Sequence, residues 1–347
     1  MIYKELVINH TTADVDYYSW LFQFEERPTN HWYEAMRMSA HSLIVYTMYD
    51  VMRHESDAHH IWDRHMGCIR RNKTSLLFVD LSDEPAGAGN PQIVKFLNNL
   101  QNHCPGERIV FGTQCMRFSQ HLQQQFPAAQ VWLYNSHEQR LRRRILRADT
   151  VPELDHQPDY DYTCLNRRYA AHRIYLLYQL RDNLHRINYT LHQTNPWTGA
   201  DETARILLQL DQPEIGAWQE RHWRQLEDVG TDPSWAATLA GKYSLVTEST
   251  TRDDYTFVTE KTYTPIAFGR PFCVLGNTHV EHTLERQGYQ VFERPSGSTW
   301  QERADWIAEN YRDFVWQDNQ VEYNRQHFLD RTSRQTYPER LQQWIDK

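Results

Sequence analysis

The sequence has no long apolar run. A helix that crosses a bilayer needs roughly 20 consecutive apolar residues, and the nearest candidate, Ser42 to Tyr49, is much shorter. The first ten residues, MIYKELVINH, do not show the charged-then-apolar pattern of a secretory signal. We therefore expect a cytoplasmic protein without a membrane span.

Cysteine is scarce, and positive charge is not in excess. The five cysteines (68, 104, 115, 164 and 273) are scattered, odd in number and form no CxxC pair. This favours reduced thiols over a disulfide framework or a zinc site. The net charge of −8 at pH 7 weighs against tight non-specific binding of nucleic acid.

Several common catalytic motifs are absent. The chain has no GxGxxG, Walker loop, GxSxG or Cys/His nucleophile pattern. His54 and His59 are five residues apart, so a helix would not place both on one side for a metal. The Asp159-Tyr160-Asp161 triplet comes before a predicted strand, where we expect a linker and no metal motif. We expect no metal site.

Aromatic residues are plentiful, and short strands alternate with helices. The 347 residues include 12 Trp, 20 Tyr and 13 Phe, enough for a sizeable core. Alternation of this kind is typical of α/β proteins with a parallel sheet. The predicted strands of the first half are Ile2–Ile8, Ser42–Tyr49, Ser75–Val79, Arg108–Gly112 and Val131–Tyr134, and its helices include Ser56–Arg71, Ile93–Asn102, Phe118–Phe126 and His137–Arg147.

A proline-containing acidic segment, Asp149 to Asp161, divides the chain. We take it as a linker between two domains, 1–155 and 156–300, followed by closing helices over 301–347. The second half is predicted to contain strands at Tyr162–Leu165, Ile187–His192, Ser244–Val246, Phe272–Leu275 and Tyr289–Phe292.

The stretch from Tyr243 to Gly276 organises the second half. An apolar strand ends near Glu248, a helix begins at Thr259-Glu260-Lys261, and Gly269 supplies its end. Ligands of doubly wound sheets bind beside the carboxyl ends of strands, where helix N-termini gather. Glu248, Glu260 and Lys261 are expected at that place.

A carboxylate and a lysine at one helix start suit a nucleoside diphosphate. The helix N-terminus and Lys261 attract phosphate, whereas Glu260 accepts hydrogen bonds from a ribose diol. The alternative needs no ligand: Thr259 caps the helix and Glu260 occupies its first turn.

The same stretch resembles the donor-binding motif of the α-1,3-fucosyltransferases and related GT-B glycosyltransferases. The matching residues are Tyr243-Ser244-Leu245, Glu248-Ser249, Asp254-Tyr255, Phe257-Val258-Thr259-Glu260-Lys261 and Gly269-Arg270-Pro271-Phe272 to Gly276. Phe257 departs from the family's Tyr, Tyr255 lies two residues early, and Pro265 lies within the helix. The Golgi members of that family are membrane-anchored. We therefore expect this chain to be more similar to a bacterial or phage enzyme.

The resemblance implies a GT-B fold: two Rossmann-like domains facing a cleft, with C-terminal helices that cross back to the first domain. It also implies an arginine for the diphosphate after the strand at Tyr162. Arg173 is the nearest match, with Arg167 and Arg168 as further candidates; a salt-bridged helix face is the alternative. The expected donor-binding residues are thus Arg167, Arg168, Arg173, Glu248, Tyr255, Phe257, Thr259, Glu260 and Lys261.

An inverting transferase also needs a base for the acceptor hydroxyl. We expect it at a strand end of the first domain, with Asp83 first and Asp80 and Glu84 beside it. Four other carboxylates are rivals: Glu25, Glu26, Glu55 and Asp57.

The sequence therefore predicts a metal-independent, hexosyl- or fucosyltransferase-like enzyme that uses a nucleotide-diphosphate sugar and no cofactor. The acceptor is a glycan or a hydroxymethylated base in phage DNA. The net charge favours the glycan, whereas the arginine-rich helix at Arg140–Arg147 leaves DNA open. A nucleotide-binding interaction module without transferase activity is the alternative function.

Overall fold

The computed structural model describes residues 5–8, 17, 21, 42–47, 67, 69–70, 76–82, 90–147, 157–166, 170–191, 210, 213–222, 235–252 and 256–330. The chain divides into two compact units. The first comprises Met1–Leu146, Asp254–Thr256 and Thr332–Lys347, and the second comprises Arg147–Asp253 and Phe257–Arg331. The helices that begin at residue 300 cluster with the second unit.

The first unit contains a five-stranded parallel sheet in the order β1-β2-β3-β4-β5. Every residue of β3 and β4 is buried, as in a parallel sheet that is covered on both faces. The strands are β1 Glu5–Ile8, β2 Ser42–Tyr46, β3 Leu76–Asp80, β4 Ile109–Thr113 and β5 Gln130–Leu133, and the helices of the described residues include α1 Pro91–His103, α2 Met116–Gln125 and α3 Ser136–Arg147.

The second unit contains a four-stranded parallel sheet in the order β7-β6-β8-β9. The chain adds β7 on one side of β6 and then returns to add β8 on the other side, so the strand order reverses between β6 and β8. The strands are β6 Tyr160–Cys164, β7 Ile187–Tyr189, β8 Gly241–Thr247 and β9 Phe272–Leu275. The two sheets confirm the predicted α/β class with two parallel-sheet domains.

Seven α-helices of the described second unit follow these strands. They are α4 Ala171–Gln179, α5 Pro213–His222, α6 Trp235–Leu239, α7 Glu260–Ala267, α8 Val280–Arg286, α9 Trp300–Asn310 and α10 Asp318–Asp330. Apolar side chains of α4 and α9 pack with those of β6, β8 and β9 in one core cluster that includes Ile174, Tyr243 and Ile307. None of the helices in the described part of the chain is both long and apolar enough to cross a bilayer.

Helix α7 begins and ends where the sequence predicts. Thr259 is its N-cap, and its hydroxyl accepts from the Lys261 amide. At the other end Gly269 has φ +60, the Gly269 amide donates to Ile266 O and the Arg270 amide donates to Pro265 O. This is a Schellman ending, which requires the left-handed conformation that glycine adopts without strain.

The predicted strand at Tyr289–Phe292 is wrong, because this segment contains no strand. The backbone of Gln290 is bound by a side chain instead: its N–H donates to Asn324 Oδ1 at 2.7 Å, and its carbonyl accepts from Asn324 Nδ2 at 2.8 Å. The rings of Tyr289 and Phe292 pack on Tyr263 and Phe272. The apolar pattern therefore reflects packing of an extended loop.

Candidate functional site

The reversal of strand order places the candidate site in the second unit. Open parallel sheets bind ligands outside the carboxyl ends of the strands at such a switch point. Helix α4 follows β6 and helix α7 follows β8, so two helix N-termini flank this point. Each N-terminus brings unpaired backbone N–H groups and partial positive charge.

The carboxylate of Glu248, directly after β8, is fully buried and accepts four hydrogen bonds. Oε1 accepts from the Thr259 amide at 2.9 Å and from the Thr262 hydroxyl at 2.5 Å. Oε2 accepts from the Thr259 hydroxyl at 2.7 Å and from the Ser249 amide at 3.2 Å. A carboxylate has about four lone-pair positions, so Glu248 has no acceptor left for a ribose diol.

Lys261 lies in the first turn of α7 and points back to the end of β8. Its Nζ is 3.2 Å from both Ser249 Oγ and Thr259 Oγ1, and 3.3 Å from Glu260 Oε1. The side chains of Lys261 and Glu260 are 19% and 36% exposed. In contrast to Glu248, both remain accessible to a ligand.

The main-chain carbonyl of Glu248 binds the first turn of α4. Arg173 Nη2 donates to it at 3.0 Å, and His172 Nε2 lies 2.8 Å away. Since a carbonyl oxygen only accepts, His172 carries its proton on Nε2. Burial, together with the positive charges of Arg173 and Lys261, lowers the pKa of His172 to about 3, so this ring is neutral at ordinary pH.

A hydroxyl and amide cluster fixes the loop between β6 and α4. The main-chain N–H of Asn166 donates to Thr190 Oγ1 at 2.6 Å, and the Thr190 hydroxyl donates to the main-chain oxygen of Asn166 at 3.1 Å. The Thr247 hydroxyl donates to Asn166 Oδ1. The ends of β6, β7 and β8 are thereby tied together beneath the two helix starts.

A second buried arginine supports the end of β9. Arg303 of α9 donates from Nη1 to Gly276 O at 3.2 Å and from Nη2 to the Glu281 carboxylate. Both side chains are buried. Gly276 packs close to Glu248, because a Cβ at Gly276 would lie 2.7 Å from Val280 Cγ2 and 3.4 Å from Glu248 Cβ.

The structure brings Arg173, Glu248, Thr259, Glu260 and Lys261 together, five of the nine predicted donor-binding residues. Phe257 is buried, at 4% exposure. Arg167, Arg168 and Tyr255 lie outside the described residues, as do Asp83 and Glu84 among the candidate bases and the histidines at 54 and 59.

Asp80 ends β3 in the first unit and is buried. Its Oδ1 accepts from the amide of Ser82 at 3.0 Å and from the hydroxyl of Ser82 at 2.6 Å, a turn-forming arrangement. Ser82 in turn accepts from the Ser136 amide at 3.2 Å and from Gln114 Nε2, through its carbonyl, at 2.7 Å. Asp80 therefore organises the carboxyl ends of β3, β4 and β5.

The arginine-rich helix α3 is acid-paired at Arg142. This side chain is fully buried, with Nη2 3.2 Å from Glu138 Oε1 and Nη1 3.2 Å from Gln139 Oε1. Arg140 lies over the ring of Tyr17, 5.2 Å from its centroid. Arg142 is thus a core residue and does not contribute to a cationic surface.

The acidic triplet at 159–161 is not wholly a linker, since Tyr160 and Asp161 belong to β6. Asp161 accepts from Arg186 Nε at 2.7 Å and from Lys242 Nζ at 3.0 Å, which lowers the pKa of its carboxyl. Within the described residues no group of three or more His, Cys, Asp or Glu side chains could hold a metal ion. Cys104, Cys115, Cys164 and Cys273 are free and buried.

Sequence reasoning missed His172, Ser249, Thr262 and Arg303 as parts of the site. His172 stands directly before Arg173, so its place at a helix start could have indicated it. Thr262 is three residues after the N-cap, where a hydroxyl usually faces solvent or its own helix. No local sequence pattern indicates a role for Arg303, because its partners Gly276 and Glu281 are 27 and 22 residues away in the chain.

Comparison with known proteins gives distant structural neighbours only. No family model matches the chain, and no curated protein matches it. Each of the solved structures below is 11% identical to the chain. The chain resembles the E. coli trehalose-6-phosphate protein bound with UDP-2-fluoro glucose (TM-score 0.49, covering 97% of this chain and 82% of that one). It also resembles T4 phage BGT in complex with its UDP-glucose substrate, with a TM-score of 0.46 and coverage of 99% of this chain and 96% of that one. A third similar structure is a UDP-forming trehalose-phosphate synthase from Burkholderia xenovorans, with a TM-score of 0.45 and coverage of 97% of this chain and 84% of that one.

Proposed function

We propose that the second unit binds the diphosphate of a nucleotide sugar and that the protein is a glycosyltransferase. The observation that carries the proposal is the convergence of Arg173 and Lys261 on two adjacent residues, Glu248 and Ser249, at the switch point of the sheet. Two cationic side chains and two helix N-termini form a site for an anion with more than one phosphate group.

The same groups fit the chemistry of glycosyl transfer. As the sugar leaves, negative charge builds on the diphosphate, and fixed positive groups stabilise it without reorganising. Arg173 is held by its bond to Glu248 O, and Lys261 by the hydroxyls of Ser249 and Thr259. Because these groups supply the positive charge, we propose that transfer needs no metal ion and no cofactor.

Glu260 is the carboxylate that we assign to the ribose diol, since it is the accessible one and Glu248 is fully engaged. The base for the acceptor stays a proposal with Asp83 first and Glu84 second. Asp80 ranks behind them because its Oδ1 is already engaged by Ser82.

Titration calorimetry with UDP-, GDP- and CMP-sugars tests the donor assignment. We expect one nucleotide class to bind, and we expect slow release of free nucleotide when the donor is incubated alone, with or without EDTA. Failure of every donor to bind would overturn the proposal. Binding with no turnover in the presence of any acceptor would instead support a nucleotide-binding module.

The acceptor is proposed to be a glycan or a hydroxymethylated base in duplex DNA. The fully buried side chain of Arg142 and the net charge of −8 favour the glycan. A salt titration of duplex binding separates the two acceptors. A steep fall of affinity with salt would support DNA, because phosphate contacts release counterions.

A further inference from the structure

We propose that Glu248 is a positioning residue that sets both cationic arms of the anion site from one point without touching the ligand. The inference rests on the proposed function and deepens it. It follows from two groups of Glu248. The side-chain carboxylate binds residues of helix α7 and its N-cap, and the main-chain carbonyl oxygen binds a residue of helix α4.

The carboxylate acts as an extended cap for α7. It engages the amide and hydroxyl of Thr259, the N-cap, and the hydroxyl of Thr262, one turn into the helix. The Thr259 hydroxyl donates to Glu248, so its lone pairs are directed towards the amide and Nζ of Lys261. The charge on Glu248 therefore determines the orientation of the group that holds Lys261.

The carbonyl oxygen acts on α4 through two donors. Arg173 Nη2 and His172 Nε2 both bind it, so movement of residue 248 would displace the guanidinium as well. The Ser249 amide is bound by the same carboxylate, and the Ser249 hydroxyl is the third oxygen contact of Lys261. Glu248 makes all of these contacts while it is fully buried, so it does not need to touch the ligand.

Thr262→Val tests the positioning role most cleanly. Thr262 is fully buried and its hydroxyl binds Glu248 Oε1, so the valine keeps the shape and removes one contact to the carboxylate. Thr264→Val is the matched control on the same helix, because the Thr264 hydroxyl bonds Glu260 O within the helix. Glu248→Gln is the stronger variant, since it keeps the size and removes the charge.

The affinity for inorganic pyrophosphate and for the donor is measured by calorimetry for each variant, alone and combined with Lys261→Met. We expect Thr262→Val and Glu248→Gln to weaken binding about five- to ten-fold, less than loss of a hydrogen bond to a charged group would, because Lys261 is misplaced and not removed. In the Lys261→Met background the same changes should cost less than about two-fold, because they alter the carboxylate that positions Lys261 and keep the main-chain carbonyl that holds Arg173. Thr264→Val should bind as the wild type does.

Hydrogen exchange without ligand supplies an independent readout. Glu248→Gln and Thr262→Val should speed exchange of the amides at 259–263, with α6 unchanged. Wild-type affinity in both variants, or losses that add fully to that of Lys261→Met, would overturn the positioning role. If the wild type binds no donor, the proposed function fails, while the exchange data still decide whether Glu248 fixes the start of α7.

Discussion

The guanidinium of Arg173 donates a hydrogen bond 3.0 Å long to the main-chain carbonyl oxygen of Glu248. The two residues are 75 positions apart in the chain and belong to the segments that follow the adjacent strands β6 and β8. The bond brings the start of α4 to the end of β8. It is therefore the contact that turns two separate sequence features into one anion site.

The first prediction concerns Lys261. Lys261→Met removes the charge but keeps much of the side-chain length. Because a hydrogen bond to a charged group contributes about 1.5–3 kcal/mol, we expect donor and pyrophosphate affinity to fall about ten- to hundred-fold. The melting temperature should change little, since the contacts of Lys261 are partly exposed. Calorimetry and a thermal melt measure the two quantities.

Lys242→Met is the matched control for Lys261. Lys242 lies near the amino end of β8, pairs with Asp161 and is 53% exposed. Equal loss of donor affinity in the two variants would show that the effect is general charge attraction rather than a site at the carboxyl end of the sheet.

The second prediction separates ribose from phosphate recognition. Glu260→Gln should weaken binding of a nucleoside diphosphate about five- to ten-fold, because the amide accepts less strongly from the diol than a carboxylate does. Pyrophosphate should bind equally well or slightly better, since a negative charge 3.3 Å from Lys261 Nζ is removed. Parallel loss for both ligands would contradict the assignment of Glu260 to the ribose.

Local patterns were sufficient to predict most of the fold. The apolar runs at β3, β4 and β9 are buried at every position, so they stand out in the sequence as continuous hydrophobic segments. The helix start at Thr259 and the glycine ending at Gly269 follow from capping chemistry. Helix α6, Trp235–Leu239, was not predicted, because five residues are too few to show a helical period.

The candidate site was harder to predict, because its contacts join distant parts of the chain. The sequence indicates Glu248 as a carboxylate at a strand end, but its four donors include Thr262, fourteen positions away. Only the folded geometry shows that these bonds exhaust the carboxylate and leave Glu260 as the accessible acid. The buried position of Arg142 within an arginine-rich helix is likewise decided by packing.

The third prediction concerns acid stability. The pKa of His172 is about 3 in the folded chain and near 6.5 when exposed. Between these values the unfolded chain binds more protons than the folded one, so stability is fully present above pH 6.5 and falls as the pH drops towards 3. One such group contributes a slope of at most about 1.4 kcal/mol per pH unit. Urea unfolding at a series of pH values measures this dependence.

The contribution of His172 is isolated with His172→Gln. The glutamine Nε2 can still donate to Glu248 O, but it does not titrate. We expect a shallower loss of stability between pH 6.5 and 4 than in the wild type. The same slope in both proteins would mean that His172 does not remain neutral at the Glu248 carbonyl.

The fourth prediction concerns the buried pair of Arg303 and Glu281. Burial raises the pKa of Glu281, and Arg303 opposes that rise. Removing one partner leaves a buried charge uncompensated, so Arg303→Met should lower the free energy of unfolding by about 3–5 kcal/mol. The double variant with Glu281→Gln should be less destabilised than the sum of the two single variants.

Arg294→Met is the control for this buried pair. Arg294 also pairs with a glutamate, Glu285, but is 62% exposed, so its loss should cost less than about 1 kcal/mol. Chemical denaturation of the wild type, Arg303→Met, Glu281→Gln and the double variant gives the coupling energy of the buried pair. Additive costs for Arg303→Met and Glu281→Gln would show that the two side chains act separately.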